Sequence, residues 1–432
     1  MKRILHNSDL GFYTQTFFRI HLYKNVTFNH MSEEDYAVLA HEYIHFLQDI
    51  STTYGAFMAY SSSEYMRSVA SAIRNSEDGI IDVPFTPEID SSNVYANFHL
   101  LEYTYGNSDE IKTIKEIVEL RNCNEQLEST DLESIPYVEM DIIDDSNCVK
   151  TIYLGAGAIM ESMAFMMEDY IAPVKNSAPD YSYHSAEFIT RFLYPEFASD
   201  TLNIIALCDV SLLTSAPGHT FVSYLIQFNE DKWLPQDPSD VYGKVLDGGY
   251  QISGSLSGSQ TFKEEMNRMC LLAIDSLYTY FNSSMPRFRK WIDETYKRGF
   301  SLRVGKRDFM IDIAKNGDIR KNPILKKLIN NFLGTPIMTN PRSEGTLKSP
   351  NVSFDSDFYF FPAVGEIFKL FRNGRYDCGL QDICLKLDGP VCEKCITAPW
   401  SHGIDMTHPC LYRLLWHSWA FDRCHPHLTI SH

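Results

Sequence analysis

His41-Glu42-Tyr43-Ile44-His45 is an H-E-x-x-H segment with no charge at its two free positions. Residues four apart on an α-helix sit one turn above each other, so the spacing predicts two imidazoles aimed at a common point. Zinc accepts two such nitrogens at about 2.0–2.1 Å, and a glutamate one residue on reaches a water beside the metal. Two neutral ligands, an adjacent general base and an open coordination position are what metal-assisted hydrolysis of a peptide bond needs. His41 and His45 are therefore the expected ligands of a catalytic zinc, and Glu42 the expected base. The alternative, two solvent-facing histidines on an ordinary helix, sits poorly with the uncharged flanks and with a well-formed helix start.

That start is Ser32, a good N-cap, followed by Glu33, Glu34 and Asp35, whose charge suits the positive end of the helix dipole. Tyr36, Leu39, Ile44, Leu47 and Ile50 recur at helical spacing and predict a core-facing stripe. Upstream, residues 10–30 alternate and are rich in aromatic and β-branched types, which predicts one or two strands. Downstream, Gly55 predicts a bend and residues 56–74 a second helix.

Two histidines and a base leave one ligand to find. The segment from Tyr153 to Pro173 is apolar enough to be a buried helix, with Gly155, Ala156, Gly157 and Ala158 giving room for a close neighbour and Pro173 ending it. Glu161 is out of place there. A buried carboxylate is costly unless paired, protonated or bound to metal, so Glu161 is the expected third ligand. A salt bridge elsewhere is the competing explanation. Glu168, two turns along the same face, or Asp169 beside it would be the ligand instead, or would orient a histidine.

An H-E-x-x-H followed by a glutamate on a later helix resembles the gluzincin group of zinc metallopeptidases. Glu161-x-x-Ala164, apolar residues and Pro173 are also similar to the E-x-x-A…P helix of the ImmA/IrrE-type peptidases. The resemblance covers two helices and implies His41, His45 and Glu161 as ligands and Glu42 as base. It also implies a His or Tyr near the metal to stabilise the oxyanion. His219, on the Pro217-Gly218 turn, and His184, beside Tyr181 and Tyr183, are the candidates, each weighed against an ordinary structural histidine. The metzincin pattern is excluded, because Gln48 stands in place of its glycine and Ser51 in place of its third histidine.

The expected fold class is α+β, predominantly helical: a zincin-like core with a small N-terminal sheet, then a Cys/His-rich C-terminal region. Residues 1–175 form the core, interrupted by an acidic insertion at 77–147 with a helix near 110–121. Residues 176–333 form a helical region completing the cleft, with helices at 262–281, 285–298 and 308–332 and a flexible Gly/Ser loop at 247–259. Residues 334–357 read as a linker or long loop, and 358–432 as the C-terminal region. The Gly/Ser loop lacks the pattern of a phosphate cradle, and no internal repeat is found.

The C-terminal region holds Cys378, Cys384, Cys392, Cys395, Cys410 and Cys424, six of the ten cysteines. Cys392-Glu393-Lys394-Cys395 is a C-x-x-C knuckle. With Cys378 and Cys384 it forms the expected ligand set of a second, structural zinc, with Cys410 or His408 as replacements for Cys378. Reduced buried cysteines and a redox pair are the alternatives.

Composition narrows the function classes. The net charge is −18, and residues 77–147 carry 18 acidic residues against Lys112, Lys115 and Arg121. Such a surface repels phosphate backbones, which makes nucleic acid an unlikely partner, and serves either solubility or the attraction of a basic partner. No apolar run reaches the roughly 20 residues a membrane span needs, and no apolar core follows the basic Lys2-Arg3 as in a signal peptide. Ten cysteines without a regular framework suit a reducing compartment. The expectation is a cytoplasmic zinc metallopeptidase acting on a protein or peptide, with a regulatory protein partner. A catalytically silent zincin scaffold and a zinc hydrolase of a small amide are the other readings.

Overall fold

A computed structural model describes residues 11–16, 18–22, 31–88, 92–106, 111–126, 134–174, 178–247, 262–281, 286–340, 345–346, 361–405 and 407–429. The Gly/Ser loop from 248 onward and most of the 334–357 segment lie outside them.

The H-E-x-x-H helix, α1 (Glu33–Ser51), follows an antiparallel hairpin of β1 (Gly11–Thr14) and β2 (Arg19–Leu22). At its start the Ser32 hydroxyl accepts from the Asp35 amide (3.2 Å) and the Asp35 carboxylate accepts from the Ser32 amide (2.9 Å). This reciprocal box satisfies amides that the helix itself leaves unpaired. From Ala40 to Ser51 every residue is buried, so α1 runs through the core where a single buried stripe was expected.

The chain turns at Thr52, not at Gly55. The Thr52 hydroxyl donates to Gln48 O (2.6 Å) and accepts from Gly55 N (3.0 Å), ending α1 and capping α2 (Thr53–Asn75). Gly55 is needed for closeness: a Cβ there would sit 2.0 Å from Asp49 O.

The acidic segment is a folded unit and not a run of irregular chain. After β3 (Ile80–Val83) and α3 (Ser92–Tyr105), three strands form an antiparallel meander: β4 (Ile114–Glu125), β5 (Ile135–Asp144) and β6 (Val149–Leu154). The helix expected near 110–121 is therefore strand β4. Register shifts between Ile114 and Glu116 and between Ile117 and Glu119 put buried Ile114 and Ile117 three apart, a spacing that imitates a helix. Along β5, Val138, Met140 and Ile142 face inward in strict alternation. The meander delivers the chain to α4 (Ala156–Ile171), whose start packs on the end of α3: a Cβ on Gly155 would meet the Tyr105 carbonyl carbon at 2.3 Å.

The next region is helical, as expected: α5 (Asp180–Tyr183), α6 (Ser185–Leu193), α7 (Thr201–Ser211), α8 (Pro217–Glu230) and α9 (Ser239–Leu246), then α10 (Phe262–Phe281) and α11 (Pro286–Gly305). The expected helix at 308–332 is broken. Asn316-Gly317 ends α12 (Phe309–Lys315) and Asn322 caps α13 (Pro323–Lys327). Arg303 of α11 is wholly buried beneath the end of α1. It donates to Ser51 O (2.9 Å) and pairs with Asp209 through Nη1 (2.6 Å) and Nη2 (2.8 Å).

Part of the expected linker is core. Ile337–Thr339 forms a buried strand, β7, parallel to β2, and pairs with β8 (Gly345–Thr346) to complete a four-stranded sheet. The C-terminal region, α14 (Phe361–Asn373), α15 (Gln381–Lys386), α16 (Lys394–Thr397), α17 (Leu411–Ser418) and β9 (His425–Leu428), returns to the first part of the chain. Strand β9 lies parallel to β3, Ile80 opposite His425. No described helix is long and apolar enough to cross a membrane.

Candidate metal centre

Helices α1 and α4 pack face to face and bring three donor atoms together. His41 Nε2 lies 3.1 Å from His45 Nε2 and 3.2 Å from Glu161 Oε2, and His45 Nε2 lies 3.4 Å from that same oxygen. Zinc bonded at about 2.0–2.1 Å in a tetrahedron sets its ligand atoms about 3.3–3.4 Å apart. The three donors fit that group closely.

The outer nitrogens of both rings are engaged. His41 Nδ1 meets Glu168 Oε1 at 2.7 Å, and His45 Nδ1 meets Gln48 Oε1 at 2.8 Å. Gln48 is held in turn by its amide donating to Met160 O (3.2 Å). A carboxylate and an amide oxygen accept only from a protonated Nδ1, so in the neutral ring the nitrogen left with a lone pair is Nε2, on the side of Glu161. Glu168 thus orients a histidine, and Glu161 is the carboxylate among the three donors. Asp169 is exposed on the outer face of α4.

Charge tells the same story. Glu42, Glu161 and Glu168 are buried beside two buried imidazoles. Burial alone would push the His41 ring down, but hydrogen bonds to Glu161 and Glu168 outweigh it and hold the ring well above the usual imidazole range. His45 is raised against burial by the Glu161 charge, and burial raises the Glu42 carboxyl. These carboxylates require positive charge between them, which protons on both rings or one divalent cation can supply.

Glu42 lines a narrow cavity with His41, His45 and Glu161, walled by Phe12, Tyr13 and Gln15 of the hairpin and by Tyr105 and Tyr183. Asp49, one turn beyond His45, fixes the hairpin: its Oδ2 accepts from Tyr13 Oη (2.8 Å) and Thr16 N (2.7 Å). Burial raises the Asp49 carboxyl to about 7 against those two bonds. Gly11 lets β1 approach α1, since a Cβ there would be 2.8 Å from Val38 Cγ1.

His184 and His219 do not line this cavity. The His184 ring meets Glu187 (2.9 Å) and packs on Phe165, at the residue that precedes α6. His219 sits in the first turn of α8, away from the donors. Two tyrosines stand where those histidines were expected. Tyr183 has its ring 5.8 Å from that of His41, and Tyr105 has its hydroxyl pKa raised by burial and by the Glu161 charge. Tyr183 was within reach of sequence reading, next to His184. Tyr105 carried no local signal.

The C-terminal cysteines group differently from expectation. Cys392, Cys395 and His402 bring their donor atoms within 4.8 Å of one another, and Cys378 and Cys384 are outside that set. Cys378 is beside the knuckle through its backbone, its amide donating to Cys395 O (2.8 Å), while its thiol is near Glu366. His408 is exposed and turned to Asp405. The C-x₂-C-x₆-H spacing of Cys392, Cys395 and His402 is the sequence signal for this group.

No family model, curated protein or solved structure matches this chain.

Proposed function

We propose that the chain is a zinc-dependent metallopeptidase of the gluzincin kind, with His41, His45 and Glu161 as ligands and Glu42 as general base. The observation that carries this reading is the convergence of three donors 3.1–3.4 Å apart on a cavity that Glu42 also lines. His41, His45 and Glu161 would hold the zinc, whose chemistry there would be Lewis acidity and a lowered pKa for a water. Glu42, its carboxyl raised by burial, takes the water's proton and delivers it to the leaving amine. Glu168 and Gln48 keep both rings in the tautomer that presents Nε2. Tyr183 and Tyr105, which line the cavity, would donate to the oxyanion as the carbonyl becomes tetrahedral. An intracellular setting and a protein or peptide substrate belong to the same proposal.

A second reading, hydrolysis of a small amide, is favoured by the narrowness of the cavity, which leaves room beside the donors for little more than a small group. Metal analysis with proteomic comparison of wild type and Glu42→Gln separates these. The variant should keep its zinc and leave intact those proteins that the wild type cuts. Unchanged protein fragments alongside lost turnover of small amides would favour the second reading, and an unaltered biological effect would leave only a silent scaffold.

A further inference from the structure

We infer that Cys392, Cys395 and His402 hold a second zinc ion, with a fourth thiolate from Cys384 or Cys410, and that this ion staples the C-terminal region. None of these residues belongs to the centre on α1 and α4, so the inference stands apart from the proposed peptidase activity.

The geometry is that of a closed sulfur-rich site. Cys395 Sγ lies 3.5 Å from His402 Nε2. Zinc bonding sulfur at about 2.3 Å and nitrogen at about 2.0–2.1 Å in a tetrahedron places the two about 3.5–3.6 Å apart. The Cys395 amide donates to Cys392 O (2.9 Å), closing the C-x-x-C turn. Helix α16 and the short turn at Pro399–Ser401 then fold the chain back, so that His402 arrives against the Cys395 thiol.

A fourth donor would come from Cys384 or Cys410, which are buried beside the knuckle though outside the group of three atoms. Gly389, just ahead of the knuckle, donates to Cys384 O (2.7 Å), and a Cβ on it would meet Pro409 O at 2.4 Å and Cys384 Cβ at 3.3 Å. The knuckle loop is thus wedged between the segments that carry these two thiols.

The local fold needs such a tie. Between Gly374 and Cys410 the described elements are helical segments of six residues or fewer, and Leu385, Val391, Ile396 and Ile404 are exposed. Short pieces with so little apolar cover are stabilised in small domains by disulfides or metal. Thiolate and imidazole donors without carboxylate select zinc over magnesium or calcium.

The test uses the full-length chain purified under reducing conditions without chelator. The His41→Ala/His45→Ala variant should hold one zinc per chain, and an organomercurial should release it in step with thiol modification. Loaded with cobalt, the same variant should show a sulfur-to-metal charge-transfer band, lost in Cys392→Ser/Cys395→Ser and unchanged in Cys424→Ser. One of Cys384→Ser and Cys410→Ser should weaken the band and the other leave it. Should the double serine variant fail to fold, mercurial titration of the wild type decides. The inference is overturned if cobalt-loaded wild type shows no thiolate band, if thiol modification releases no zinc, or if Cys392 and Cys395 are found joined in a disulfide. A band indifferent to both Cys384 and Cys410 overturns the fourth thiolate.

Discussion

The two candidate centres differ in how their donors are held. His41, His45 and Glu161 project from long buried helices, and two of the three have their remaining polar atoms fixed by Glu168 and Gln48. Cys392, Cys395 and His402 sit on a tight turn and a short helix at the surface, with Cys392 exposed. The first arrangement is held by hydrogen bonds within the protein itself and borders a cavity that Glu42 lines. The second rests on a hydrogen-bonded turn with Cys395 and His402 buried, on helical segments of six residues or fewer. A rigid open site suits chemistry, and a closed site on loops suits folding.

That contrast can be broken most directly at Glu42. Glu42→Gln should lower cleavage about 10²–10⁴-fold, the usual worth of a positioned acid–base group, while zinc content stays unchanged. Equal loss from Cys392→Ser would erase the distinction between the centres. Next is the support beneath α1. Asp209→Asn leaves the buried Arg303 without its charge partner and should cost about 3–5 kcal/mol in urea unfolding. A loss no larger than that of a surface substitution would show that the core centre is not braced in this way.

A smaller effect is expected at Glu168. Glu168→Gln should weaken zinc binding about 10–100-fold at the first centre and leave thiol-bound metal untouched, measured by competition with a chelator. The last prediction concerns pH. The Asp49 carboxyl is raised from 3.8 to about 7 on folding, so the native state binds the extra proton between those values. Its contribution to stability is full below about pH 4 and is lost as pH rises through 7. Asp49→Asn should therefore flatten the fall in unfolding free energy between pH 5 and 7.5. An unchanged slope would place that titration elsewhere.

The parts legible in sequence are those where local periodicity decides. The i, i+4 spacing alone aims His41 and His45 at one point, and Ser32 with Asp35 marks where that helix begins. Glu161 stood out because a carboxylate in an apolar helix needs a partner, but a window of sequence cannot say which of Glu161 and Glu168 faces Nε2. That depends on the rotation of α4 against α1, set by packing across residues far apart in the chain. Strand β4 was hidden for a similar reason. Its bulges produce a three-residue repeat, and the pairing that makes it a strand is with β5, beyond the reach of local pattern.

Sequence by itself thus determined the H-E-x-x-H segment, the helix that carries it, the buried helix with Glu161 and the wealth of thiols near the C-terminus. Tertiary structure alone decided that Tyr105 and Tyr183 rather than His184 and His219 border the cavity, that Ile337–Thr339 is a core strand, and that His402 joins the knuckle. Backbone geometry repeats over a few residues and can be read from spacing. Side chains from distant segments meet only because burial of their surroundings leaves them nowhere else to go.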